Sequence, residues 1–302
     1  MELIRTQFRA MASDCEIVAA SDDPAWTRHA MGLAAREAVR IEQKYSRYRI
    51  DDASIVHRIN AAAGSSDWIA CDEETLHLLD LAAKFHGLSD GLFDITSGVL
   101  RRAWNFSAKD CPQAEDIAAL LPLIGWTKVE LEGRRVRLPL RGMEIDFGGF
   151  GKEYAADRAV SVLEGNGIRH GYVNLGGDIR VAGPGVDGKP WRFGVQNPRD
   201  VGSVAANIEL ASGALVTSGD YVKYIEKNGV RFSHILNPRS GMSVSCWRSV
   251  SVVGVSATLA GAFSTIAMLK EAEAVQFLDG TGCQYLLVDA EGRCIASCKT
   301  SE

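Results

Sequence analysis

The sequence predicts an α+β protein in which helices pack on antiparallel sheets. Two observations predict it. Helical and strand patterns fall in separate stretches of the chain, and the strand patterns follow one another through hairpin signals such as Gly133–Arg134 and Asn228–Gly229. No internal repeat of solenoid period interrupts them.

Taken in order, residues 2–20 read as a first strand. The run "DPAWTRHAMGLAAREAVRIEQKYSRY" is a long helix, with Pro24 in its first turn and apolar residues at helical spacing. "DDASIVHRINAA" and "DEETLHLLDLAAKFHGLSDG" are two more helices, the second opened by Asp72 and closed by Gly87. "AEDIAALLPLIG" is a helix ending at Gly125, and "KVELEG" and "RVRLPL" form a hairpin. "EIDFGG" reads as a strand that runs into glycines, and "KEYAADRAVSVLEGNG" as a helix closing on Gly165. Strands follow in "HGYVNLGGDIRVAG", "WRFGVQNP", "VAANIELASGALVTSG" and "YVKYIEKNGVRFSHILNP", the last placing His234 in a strand. "SVSVVGVS" is a strand, "ATLAGAFSTIAML" a buried helix and "CQYLLVDAEGRCIAS" a final hairpin.

The 302 residues are enough to bury a large core, and 46% hydrophobic with 24% charged residues is an ordinary globular balance. A net charge of −5, with no basic stripe, argues against nucleic acid or an anionic membrane as partner. No apolar run reaches membrane-spanning length, and "MELIRTQFRAMASDCEIVAA" has no signal-peptide core. The seven cysteines are scattered without a CxxC; Cys294 and Cys298, four apart, make a weak metal pair without histidines nearby. Free thiols in a reducing cytoplasm are the economical reading.

Four glycine-bearing polar clusters interrupt the apolar elements: "FDITSG" (93–98), "DFGGFGK" (146–152), "NLGGD" (174–178) and "TSGDY" (217–221). Glycine lets a ligand approach the backbone, a helix start favours an anion, and Lys152 adds a point charge. Together they suggest a cradle for a phosphate-bearing ligand. The common nucleotide motifs are absent: "GGFGKEY" lacks the last glycine of GxGxxG, and no hydroxyl follows the lysine as in a Walker A loop. In "SHILNPRSG", His234 keeps company with Ser233, Asn237 and Arg239, a set suited to a general base and a phosphate grip. No histidine pair has metal spacing.

In their present order, "FDITSGVL", "EIDFGGFGKEYAADRA", "GYVNLGGDIRVAG", "PWRFGVQNPR", "LVTSGDY" and "FSHILNPRSG" resemble the ApbE family, the FAD:protein FMN transferases. The likeness runs from about residue 8 to 290. It implies one T-fold-like ApbE domain over 1–302, with antiparallel sheets and packed helices, that binds FAD in a cleft. It also implies a Mg2+-dependent transfer of FMN from FAD to a Ser or Thr hydroxyl of an unidentified acceptor protein, with release of AMP. By the resemblance, His234 is the base. Met11, Asp94, Thr96, Gly148, Gly149, Lys152, Asn174, Gly176, Gly177, Asp178, Ser218, Asp220 and Arg239 serve the flavin nucleotide. Neither nucleic acid nor membrane insertion is implied, and a cytoplasmic location is expected.

The chain departs from the family pattern at the metal. The helix that usually reads ADALST is "LAGAFST" here: Thr265 is kept, but the aspartate position is Gly261. Gly151 stands at the carbonyl ligand, Glu153 replaces a family glycine, and the family's MGT is "MAS", Met11 to Ser13. Either Glu153 supplies the missing carboxylate, giving a metal set of Gly151, Thr265 and Glu153, or the chain binds FAD with little transfer. An FAD pyrophosphatase, with water as nucleophile, is a third possibility. Family acceptors carry a D-x-x-[ST]-G-A-[ST] segment; Leu215 stands where "ELASGALVT" would need its hydroxyl, which argues against self-modification.

Overall fold

The structure, a computed structural model, describes residues 1–107, 110–221 and 223–297. Residues 2–20 form two strands instead of one, Ile4–Ala10 (β1) and Ser13–Ala20 (β2), because the chain reverses at Met11–Ala12. Both turn residues have positive φ, 53° and 56°, the conformation of a tight hairpin. Neither is the Gly, Asn or Asp that usually signals one.

Helix Pro24–Tyr45 (α1) starts where Asp23 accepts from the amides of Ala25 and Trp26, and its Ala30, Ala34, Ala38 and Ile41 form a buried stripe. Ser54 caps Ile55–Ala61 (α2). After Ile69–Ala70 (β3), Asp72 caps Glu73–Leu88 (α3). This helix runs through Gly87 and ends one residue later, the reversal falling on Asp90 and Gly91, where φ turns positive. Ala114–Leu120 (α4) then leads to Glu130–Glu132 (β4) and Arg135–Arg137 (β5), and β3, β5 and β4 make a small sheet.

The "EIDF" stretch joins no strand. The Ile145 amide donates to Asn60 Oδ1 (2.7 Å), Asn60 Nδ2 donates to the Ile145 carbonyl (3.0 Å), and the Asp146 amide donates to the Ile95 carbonyl (2.8 Å). Helix Gly151–Gly165 (α5) follows. Gly165 is its last residue, and the chain turns away at Gly167, φ 80°.

The remaining strands are His170–Leu175 (β6), Asp178–Gly183 (β7), Trp191–Asn197 (β8), Asp200–Leu210 (β9) and Gly213–Gly219 (β10). Tyr224–Lys227 (β11), Val230–Ser233 (β12) and Trp247–Gly254 (β13) follow, so His234 lies just past a strand end. Helices Ala257–Lys270 (α6) and Ala274–Thr281 (α7), the latter absent from the sequence reading, precede Gln284–Asp289 (β14) and Cys294–Ala296 (β15). Cys294 is exposed and free; Cys298 lies outside the described residues.

Eight strands form one antiparallel sheet in the order β1-β2-β6-β7-β10-β13-β14-β15. Alternation sends Val173, Leu175, Ala214, Val216, Val250 and Val252 into the core shared with α1, α5 and α6. Tyr172, Ile179, Val181 and Leu215 point the other way, where the β8–β9 hairpin covers them with Phe193, Val195 and Leu210. Two inward positions of β7 are charged, Asp178 and Arg180, and each meets α5: Asp178 pairs with Lys152 and Arg180 with Asp157.

Asp157 also fixes α6. Its carboxylate accepts from the amides of Ala257 (2.9 Å) and Thr258 (2.8 Å) and from the Thr258 hydroxyl, so a side chain of one helix caps the start of the next. No helix among the described residues is long and apolar enough to cross a membrane.

Candidate functional site

A cavity of about 690 Å³ opens where the start of α5, the β6–β7 turn, the end of β10 and the 93–98 segment converge. Fourteen of the seventeen sequence-predicted residues line it: Met11, Asp94, Gly148, Gly149, Gly151, Lys152, Glu153, Asn174, Gly176, Gly177, Asp178, Ser218, His234 and Thr265. Thr96, Asp220 and Arg239 do not. The Thr96 hydroxyl donates to Asp94 Oδ1 (2.6 Å) and accepts from the Gly125 amide (2.8 Å). Asp220 pairs with Arg248 at 2.8 Å, and Arg239 donates to the Asp90 carbonyl. Those three hold the frame around the cavity.

The glycine loop is pinned on both sides. Phe147 and Phe150 are fully buried in an aromatic cluster with Phe85 and Phe93, leaving Gly148 and Gly149 at the cavity wall. A Cβ on Gly149 would sit 2.9 Å from the Phe93 ring, so that glycine is a packing requirement. The Gly148 amide donates to Asp146 Oδ1 (2.8 Å). No side chain caps the first turn of α5, which leaves that helix start able to receive an anion. Gly176 and Gly177, φ 59° and 99°, form the β6–β7 turn, and the Gly177 amide donates to Asn174 Oδ1 (2.8 Å).

Lys152 Nζ lies 2.9 Å from Asp178 Oδ2. Burial works against the ammonium, but the Asp178 and Glu153 carboxyls outweigh it and hold the Lys152 pKa above its ordinary value. Burial raises the Glu153 carboxyl well above the usual carboxylate range, and the neighbouring Asp178 adds to it. Burial raises Asp178 too, with Lys152 opposing. The Lys152 charge is thus already engaged by protein carboxyls.

The Ser218 hydroxyl lies 2.8 Å from that of Ser264 and 3.1 Å from that of Thr265, tying β10 to α6 at the cavity floor. His234 Nδ1 donates to the Lys223 carbonyl (3.2 Å), which leaves Nε2 as the basic nitrogen. Burial, helped by the Arg101 charge, brings its pKa down to about 4. The ring is neutral at pH 7.

Sequence reasoning missed Arg47, Asp146, Tyr221 and Lys223, which also line the cavity. Arg47 Nη1 donates to the Gly98 carbonyl (2.7 Å) and to Asp146 Oδ2 (3.3 Å), bracing the segment that holds Gly148. Tyr221 stood in the "TSGDY" cluster and Arg47 in "YSRYR", so a signal was present. A second recess, about 810 Å³, adjoins the cavity and shares Arg47, Tyr48, Arg101 and Lys223 with it.

The model of the ApbE family matches residues 11–287. An FAD:protein FMN transferase of Vibrio cholerae is 32% identical over 210 residues, 68% of this chain and 62% of that protein. One of Rhodobacter capsulatus is 33% identical over 213 residues, 68% of this chain and 40% of that protein. The matched region thus spans about three fifths and two fifths of these two curated relatives. The crystal structure of an ApbE protein from Thermotoga maritima superposes with a TM-score of 0.89 at 32% identity, covering 98% of this chain and 97% of its own. The flavin transferase ApbE of Vibrio cholerae gives 0.87 at 26% identity, covering 98% and 97%. A family model matched over most of the sequence, on a fold shared with these solved structures, establishes that the chain belongs to the ApbE family.

Proposed function

We propose that this protein binds FAD in the cavity and transfers its FMN moiety to a Ser or Thr hydroxyl of a partner protein, releasing AMP. One observation carries the reading: an uncapped helix start and a lysine share a single cavity with a neutral histidine. The chain acts as one ApbE domain over 1–302, in a cytoplasm whose reducing conditions suit the free cysteines.

The chemistry is a displacement at phosphorus. The acceptor oxygen forms a bond to the FMN phosphorus, the bridging P–O bond breaks, and AMP departs with that bridging oxygen. The acceptor proton passes to His234 Nε2, whose low pKa keeps it unprotonated and ready. The main-chain amide at Gly149 and the start of α5 receive the diphosphate. Met11, Asp94, Asn174, Gly176, Gly177, Asp178 and Ser218 line the rest of the nucleotide site, with Thr96, Asp220 and Arg239 supporting it from behind.

The site suits a hard divalent cation. Glu153 Oε2 is buried without a hydrogen-bond partner, and nearby donors are oxygens. With Lys152 matched by Asp178 and Glu153, the cavity floor has no net positive charge to offer a diphosphate, which a divalent cation would correct. Gly151 through its carbonyl, Thr265 and Glu153 would hold Mg2+. Among the described residues no three His, Cys, Asp or Glu could hold a metal by themselves, so phosphate oxygens and water would complete the shell, as is usual for this ion. When bound, Mg2+ would neutralise charge developing on the phosphoryl oxygens.

Purified protein incubated with FAD, Mg2+ and an acceptor should attach flavin covalently and release AMP. AMP without attached flavin indicates a pyrophosphatase; a yellow complex without AMP indicates a binding protein.

A further inference from the structure

We infer that residues 153 and 261 form a reciprocal pair: Glu153 brings the cation-binding carboxylate in from α5, and Gly261 is the socket in α6 that admits it. The inference rests on the reading of an FAD-bound cation at this site. Gly261 lies in mid-helix with ordinary φ, where glycine is less favourable than alanine. Its purpose is therefore space. A Cβ at 261 would lie 2.5 Å from Glu153 Cγ and 2.9 Å from both Cδ and Oε1, so any other residue collides with the acid.

Glu153 is costly in its own right. It is 8% exposed, its Oε2 accepts no hydrogen bond, and the buried Asp178 carboxyl stands beside it. An unpartnered buried carboxyl is kept only where something else engages it. Two expensive features in direct contact point to one function.

The helix register places that contact at the cavity. Asp157 follows Glu153 by one turn of α5 and caps α6 at Ala257 and Thr258, one turn before Gly261. The two helices therefore run antiparallel from this clasp: Asp157 against Ala257, Glu153 against Gly261, and the start of α5 towards Thr265. Thr265, one further turn on, lines the cavity and meets Ser218. Glu153 sits between the clasp and the threonine, with an oxygen to spare.

The test uses whole protein and reads FAD affinity by flavin fluorescence, in Mg2+ and in EDTA, with thermal melting alongside. Wild type should bind FAD roughly tenfold or more tightly in Mg2+, within the usual range of coupling between two ligands. Glu153→Gln should lose that ratio while keeping its affinity in EDTA. Gly261→Asp should melt earlier through the collision, and Glu153→Ala/Gly261→Asp should recover both the melting temperature and the Mg2+ effect. The pair is refuted by a Glu153→Gln protein with the wild-type ratio, or by a double variant no better than Glu153→Ala. A wild type indifferent to Mg2+ refutes it as well. A wild type that ignores FAD under both conditions instead overturns the functional reading beneath it.

Discussion

Lys152 Nζ and Asp178 Oδ2 stand 2.9 Å apart and join the first turn of α5 to the first residue of β7. Asp178 is 3% exposed, so the pair both shapes the cavity and neutralises a buried carboxylate. Lys152→Met should weaken FAD binding, read by fluorescence titration, roughly 10- to 100-fold. It should also lower stability by about 2 kcal/mol, less than for a fully buried pair because the lysine is partly solvated. Lys152→Met/Asp178→Asn should regain most of the stability and little of the affinity.

His234 carries the pH dependence. Its pKa, brought down to about 4, keeps the imidazole unprotonated across neutral pH. The acid limb of kcat/KM should therefore fall well below the ordinary histidine value of about 6.5. Stability follows the same sign: the unfolded chain takes up the proton near 6.5 while the folded one does not, so folding weakens as pH falls from there towards 4. His234→Gln should flatten that slope in urea melts at stepped pH. It should leave FAD binding within about threefold and cut transfer by roughly 10²- to 10⁴-fold.

Asp157 anchors the α5–α6 clasp through two amides, a hydroxyl and Arg180. Asp157→Ala should cost about 2–3 kcal/mol in urea unfolding, more than a single cap, because Arg180 loses its partner too. Asp157→Asn should cost less.

The β6–β7 turn separates space from conformation. A Cβ on Gly176 would sit 2.6 Å from Ser13 Cβ at φ 59°, whereas Gly177, φ 99°, has nothing within 4 Å. Gly177→Ala should cost about 1 kcal/mol from backbone strain alone. Gly176→Ala should cost more, and adding Ser13→Gly should recover the difference, all measured as melting temperatures.

Much of this fold is written locally. Asp23 and Pro24 announce α1, Asn228–Gly229 announces the β11–β12 hairpin, and the apolar run at 257–269 announces α6. What escaped depends on distant partners. The Met11–Ala12 turn is imposed by pairing of its flanking strands. The "EIDF" segment is no strand because Asn60, 85 residues away, takes its hydrogen bonds. The glycine clusters and Lys152 mark the cavity in the sequence, since missing side chains and a lone cation are local features. That Asp220 would be consumed by Arg248, or that Lys152 would already be paired, is decided by strands and helices that meet only in the folded chain.

The most direct measurement is mass spectrometry of a carrier protein bearing a D-x-x-T-G-A-T segment, after incubation with this protein, FAD and Mg2+, with AMP quantified in parallel. The account predicts one covalently held FMN per segment, on its last threonine, and one AMP for each flavin attached. A carrier of unchanged mass, whether AMP appears or not, contradicts it.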